Sequence, residues 1–162
     1  MITQEILRER FDYKDGQLIY KEPACKNKIK AGDVVGGFGR DGYSRVMINY
    51  KRYPLHRLIW IYHNGDIPDG IKIDHINRLR EDNCIDNLRL ATRSQNQHNR
   101  SKSKNNSSGF KGVYWDKKLK NWRATIGRNN KRQHLGNFST PELASEAYKA
   151  AADRLHKEFA NY

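Results

Sequence analysis

From Tyr43 to Ile48 the chain alternates, with Ser44, Val46 and Ile48 on one side and Tyr43, Arg45 and Met47 on the other. A period of two predicts a strand, here entered through a turn at Asp41-Gly42. The residues before it read as further short strands separated by turn residues. Pro54 then opens a change of period: Leu55, Leu58, Ile59 and Tyr62 share one face of a short helix that stops at Asn64-Gly65. His56 sits inside this helix and reads as a packed, hydrogen-bonded histidine. "IKIDHI" alternates again and suits a strand, "NLRLAT" a second one, and the polar "RSQNQHNRS" a helix start. A strand, loop, strand, helix order brings Asp74 and His75 near residues around Asn96.

The last third repeats the logic. Trp122, Ala124 and Ile126 alternate with Asn121, Arg123 and Thr125, and Gln133 and Leu135 oppose Arg132 and His134. With "FKGVYW" this predicts three short strands, the second and third joined by a turn at Asn129-Asn130. Thr140 is the N-cap and Pro141 the first residue of a closing helix, with Leu143, Ala147, Tyr148, Ala151 and Leu155 as its apolar stripe. That helix would cover the apolar strand face and leave Arg123, Thr125, Arg132 and His134 exposed on the other.

Charge divides the chain. The net formal charge is +13, an excess whose usual physical partner is a polyanion. Residues 1–100 hold 18 Lys and Arg against 13 Asp and Glu, whereas residues 101–162 hold 13 against 5. The seam is the Ser/Asn-rich "SKSKNNSSG", so the expected organisation is a domain over 1–100 (motif core 54–100), a linker over 101–109 and a second domain over 110–162. Within the second domain the basic residues belong to the sheet: 101–140 carry ten Lys and Arg and one Asp. No apolar run is long enough to span a membrane, and the first ten residues lack the apolar core of a signal peptide. Cys25 and Cys84 form no C-x-x-C pair, which argues against a disulfide framework or zinc knuckle and for a reducing cytoplasm.

"IDHINRLREDNCIDNLRLATRSQNQHN" carries the candidate chemistry. Asparagine is a poor strand and helix former, so its recurrence here needs a reason. Asn77, Asn83 and Asn99 read as turn caps. Asp74-His75, Asn87 in "DNLR" and Asn96 in "SQNQHN" resemble the HNH nuclease motif of the ββα-metal kind found in phage and intron-encoded homing endonucleases. The lead-in "HRLIWIYHNGDIPDG" is also similar to that family. Asn96 stands where many members carry histidine, a variant the family also contains. The resemblance implies that His75 is a general base, as an imidazole suits near neutral pH. It implies that Asp74 and Asn96 ligate one divalent ion, Mg²⁺ or Mn²⁺, and that Asn87 orients His75 through its amide. Arg89 and Arg93 would lie near the phosphate.

"FKGVYW", "NWRATI", "HLGNFST" and "ASEAYKAAADRLHKEFAN" resemble an AP2 DNA-binding domain. Such domains lay a three-stranded sheet in the major groove. The resemblance implies a DNA face of Lys111, Tyr114, Arg123, Thr125, Arg132 and His134. Tyr114 and Asp116 replace arginines of the plant members' first strand.

The fold class expected is α+β, a ββα-metal module followed by a three-stranded antiparallel sheet with one helix. The expected function is that of a metal-dependent phage homing endonuclease. It would hydrolyse double-stranded DNA to 5′-phosphate and 3′-hydroxyl ends, with no membrane or protein partner implied. Two rivals stand beside it. One is a non-catalytic DNA-binding regulator with a decayed nuclease half; the other is an RNA-directed or non-specific nuclease.

Overall fold

A computed structural model describes residues 2–24, 28–103, 105–128 and 131–162. Cys25 and the turn expected at Asn129-Asn130 lie outside them. The chain is α+β and forms two compact units, Met1–Ala91 and Thr92–Tyr162. No helix among the described residues is long and apolar enough to cross a membrane.

The first unit opens with helix α1 (Gln4–Arg10), where the sequence reading expects strands. Thr3 caps it by accepting from the Ile6 N–H, and Leu7 is its one buried residue. A hairpin follows, β1 (Phe11–Lys14) and β2 (Gln17–Tyr20), closed by Asp15 and Gly16, both at positive φ. Strands β3 (Gly37–Phe38), β4 (Ser44–Ile48) and β5 (Lys51–Pro54) make an antiparallel sheet in that order. The predicted alternation holds on β4, where Ser44, Val46 and Ile48 are buried. Helix α2 (Leu55–Asn64) buries Leu55, Leu58 and Ile59 as predicted, together with His56, and Gly65 at φ 79° ends it. Strands β6 (Lys72–His75) and β7 (Leu88–Ala91) pair antiparallel, with Asp74 opposite Arg89 and His75 opposite Leu88. Leu7, Phe11, Leu18, Val46, Ile59, Ile73 and Leu88 contribute to one core.

The second unit begins with helix α3 (Arg93–Asn99). Its capping box joins Thr92 to the Gln95 backbone and the Gln95 side chain to the Thr92 N–H. Strands β8 (Val113–Asp116), β9 (Asn121–Arg128) and β10 (Lys131–Phe138) form an antiparallel sheet with β9 in the centre. Helix α4 (Pro141–His156), capped by Thr140 as predicted, packs on it, and a 3₁₀ turn follows at Lys157–Phe159.

Two expectations from the sequence are corrected in this unit. On α4 the buried face is Ala144, Ser145, Tyr148, Ala151, Ala152 and His156, while Leu143 is 46% exposed. Small residues allow the close approach: a Cβ on Gly112 would collide with the Tyr148 ring. On β10 the register slips between His134 (opposite Thr125) and Gly136 (opposite Ala124). This bulge puts Leu135 and Phe138, three apart, against the same core cluster, which simple alternation does not allow. Within 101–109, the side chains of Asn106 and Ser108 bond to backbone at and just before β8. The Ser108 hydroxyl donates to the carbonyls of Phe110 and Val113, and the Asn106 amide donates to Phe110.

Candidate active site and nucleic-acid interface

Asp74 and His75 are adjacent on β6, and both are buried, each 5% exposed. Successive strand residues point to opposite faces, so the two side chains leave the strand in different directions. Asp74 Oδ2 accepts from Arg89 Nε at 3.0 Å across the β6–β7 ladder. Arg89, expected beside a phosphate, is therefore engaged by the carboxylate opposite it.

His75 Nε2 lies 3.1 Å from Asn83 Oδ1. The orientation of the Asn83 amide is set by its other end, where Nδ2 donates to the Glu81 carbonyl at 3.1 Å. Oδ1 can only accept, so His75 carries its hydrogen on Nε2, and Nδ1 is the basic nitrogen of the neutral ring. Asn83, read from sequence as a turn cap, is the side chain that sets this tautomer.

Asn87 acts at longer range. Its Nδ2 donates to Asn77 Oδ1 (2.9 Å) and to the Asp82 carbonyl (2.8 Å), and its Oδ1 accepts from the Asn77 N–H (2.9 Å). Asn77 Oδ1 also accepts from the Leu79 N–H and Asn77 Nδ2 donates to Asp82, so Asn77 does organise a turn. These bonds close the β6–β7 loop, and Asn83 lies within it. The amide of Asn87 thus fixes the loop rather than the imidazole directly. The β1–β2 hairpin tip braces the same loop: a Cβ on Gly16 would stand 2.8 Å from the Cys84 nitrogen and 3.0 Å from the Asn83 carbonyl carbon.

An aromatic cluster backs His75. The His56 ring meets it edge to face at 5.1 Å between centroids, and Tyr43 lies 5.3 Å from His56 and 6.1 Å from His75. Arg80 sits over the Tyr43 ring at 4.8 Å and donates to the Asp41 carbonyl. His56 is packed as expected, but its buried Nδ1 has no hydrogen-bond partner. Burial, then the neighbouring His75, Arg57 and Arg45, push its pKa down to about 3. The folded state thus favours neutral His56 relative to the unfolded chain. Its contribution to stability is complete above about pH 6.5 and is lost as pH falls toward 3. Between pH 7.5 and pH 5 this amounts to about 2 kcal/mol. Thermal unfolding at the two pH values should show the drop, and His56→Leu should reduce it. An equal drop in that variant would rule out His56 as its source.

In the second unit, Tyr114 pairs with Arg123 and Thr125 with His134, and Arg132 lies two residues before His134 on β10. These five residues share one sheet face, opposite buried Ala124 and Ile126. Arg123 Nε donates to His134 Nδ1 at 3.2 Å, and its Nη1 donates to Asp116 at 3.4 Å. Lys111, expected on that face, is directed elsewhere. Its Nζ donates to the carbonyls of His98 (2.6 Å) and Arg100 (2.7 Å) at the end of α3. Arg93, exposed, is the first residue of α3, and Asn96 lies half-buried on the same helix.

Sequence reasoning missed Asn83 and Tyr43 because each acts through contacts that no local pattern records. The run of asparagines was the only signal for Asn83.

An HNH endonuclease family model matches residues 53–98 and an AP2 domain model matches residues 108–158. Protein 3.8 of Escherichia phage T7 is 34% identical over 113 residues, 70% of this chain and 93% of that protein. An uncharacterized HNH endonuclease of Acanthamoeba polyphaga mimivirus is 36% identical over 123 residues, 75% of this chain and 63% of its own length. Among solved structures, one titled "DNA binding and cleavage by the HNH homing endonuclease I-HmuI" aligns with a TM-score of 0.43 at 18% identity. That alignment covers 88% of this chain and 82% of that one. The chain belongs to the same family as phage T7 protein 3.8, and it is an HNH endonuclease-family protein whose HNH segment is followed by an AP2 domain.

Proposed function

We propose that the chain is a metal-dependent endonuclease of double-stranded DNA, with His75 as general base and the AP2 sheet as its DNA-binding face. The observation that carries the reading is the buried Asp74-His75 pair, with the His75 tautomer set by Asn83. Nδ1 of His75 would take a proton from the attacking water, leaving 5′-phosphate and 3′-hydroxyl ends. Asp74 and Asn96 would hold one Mg²⁺ or Mn²⁺ ion. Their donors fit it: an ion-paired carboxylate and an amide oxygen are hard oxygen ligands. When bound, the ion supplies positive charge against the scissile phosphate and the departing oxygen. Asn87 would keep the loop, and through it Asn83 and His75, in one arrangement. Arg93 would contact phosphate. Tyr114, Arg123, Thr125, Arg132 and His134 would face the major groove. A relative from phage T7 supports a phage enzyme acting in the host cytoplasm, and the resemblance to homing endonucleases supports mobility.

Incubation with mapped plasmid and phage DNA, with Mg²⁺ or with chelator, followed by end sequencing, tests the proposal. Cleavage that requires the ion and leaves 5′-phosphates is the expected result. The Asp74–Arg89 ion pair favours one alternative, a DNA-binding regulator whose carboxylate is already neutralised. Tight binding with no cleavage under any divalent ion would select it.

A further inference from the structure

Helix α3 is seven residues long, and so short a helix is marginal on its own in water. Its start is secured locally by the Thr92–Gln95 capping box. Its end is held from far along the chain. Asn161 Nδ2 donates to the carbonyls of Asn99 and Arg100, each at 2.9 Å, although it lies 62 and 61 residues away. Lys111 Nζ donates to the carbonyls of His98 and Arg100. The His98 ring stacks on His156 of α4, with centroids 3.6 Å apart and planes within 10°. The 3₁₀ turn Lys157–Phe159 packs against α3 as well. Asn161 and Asn99 are both buried, at 8% and 5% exposure.

The last carbonyls of a helix have no partner within it. Here an ammonium and a side-chain amide from the AP2-domain side satisfy them, and the cation also suits the negative end of the helix dipole. The contacts fall at residues 98, 99 and 100, within one turn of Asn96. We infer that Lys111 and Asn161 are positioning residues for Asn96, holding in place the helix that carries it. This rests on the reading of Asn96 as a metal ligand given above.

The test uses the full chain bound to target DNA. Lys111→Met keeps the aliphatic stem without the charge, and Lys111→Arg restores donors. Asn161→Ala removes the amide, and Asn161→Gln keeps it. Three quantities are read: Mn²⁺ binding by electron paramagnetic resonance, hydrogen exchange of the α3 amides, and DNA affinity in chelator. Loss of an outer partner of a metal ligand typically weakens binding about 10- to 100-fold. Lys111→Met and Asn161→Ala should each weaken Mn²⁺ binding about tenfold or more. They should also speed exchange in α3 and leave DNA affinity within about twofold, with Lys111→Arg recovering most of the loss.

Should Asn161→Ala unfold the unit, the Lys111 pair decides alone, since Lys111 is partly exposed and both its replacements keep its stem. Wild-type Mn²⁺ binding that needs Asn96, together with unaltered Mn²⁺ binding in folded Lys111→Met, overturns the inference and leaves the nuclease reading intact. Loss of DNA affinity in chelator equal to the loss of Mn²⁺ binding also overturns it, because Lys111 would then be a DNA contact. Wild-type Mn²⁺ binding indifferent to Asn96→Ala sinks the nuclease reading and this inference with it.

Discussion

His75→Ala should lower the cleavage rate at least about a hundredfold, the scale of losing a positioned general base. Its DNA affinity in chelator should stay close to that of the unaltered chain. The size of the effect follows from how firmly the ring is held. Nε2 faces an amide oxygen whose own orientation is fixed by the Glu81 carbonyl, and His56 and Tyr43 pack against the ring. Among the described residues the imidazole packed against it is His56, which is buried. Asn83→Ala should give a smaller loss in rate, because the ring remains but its tautomer is no longer selected. Asn83→Asp keeps an acceptor for Nε2 and should recover part of it. Single-turnover cleavage under excess enzyme measures all three. Undiminished cleavage by a His75→Ala sample free of wild-type protein would remove His75 from the chemistry.

DNA binding should weaken steeply with salt. Ten Lys and Arg stand against one Asp in residues 101–140. If half of them neutralise phosphates, the slope of log affinity against log salt is about −4.5, or roughly a 500-fold loss between about 50 and 200 mM. Arg123 is partly satisfied by Asp116 and His134, so Arg132 offers the cleaner variant. Arg132→Ala should reduce the magnitude of the slope by about one and weaken all duplexes to a similar extent. Fluorescence anisotropy over a salt series reads both quantities. An affinity indifferent to salt would mean that phosphate contact is not what holds this protein on DNA.

The sequence made some elements legible because local physics decides them. Alternation on β4 faces a single core, so Ser44, Val46 and Ile48 turn inward as their period requires. Thr140-Pro141 starts α4 because capping and a fixed φ act within one turn. The site residues Asp74, His75, Asn87 and Asn96 stood out as a spaced set. What they touch did not. Asn83 meets His75 only once the loop closes, and Tyr43 lies on the strand side of a helix between them in sequence. Leu143 looked like a core residue because hydropathy ranks leucine above alanine, yet α4 lies so close to the sheet that the smaller side chains face it. Lys111 read as a DNA contact through the resemblance, and only the fold shows it bound to the end of α3.

The hairpin tip at Gly16 has a consequence for genetics. It lies on residues that hold a loop rather than on any that would meet DNA, and it combines a φ of 78° with a 2.8 Å approach to the Cys84 backbone. A side chain there is strained by the backbone angle and must also push on the segment containing Asn83. Selection for temperature-sensitive loss of cleavage should therefore recover substitutions at Gly16, nearly seventy positions ahead of Asn83 in the sequence. Second-site revertants should collect in the loop between β6 and β7, where a small backbone shift can make room.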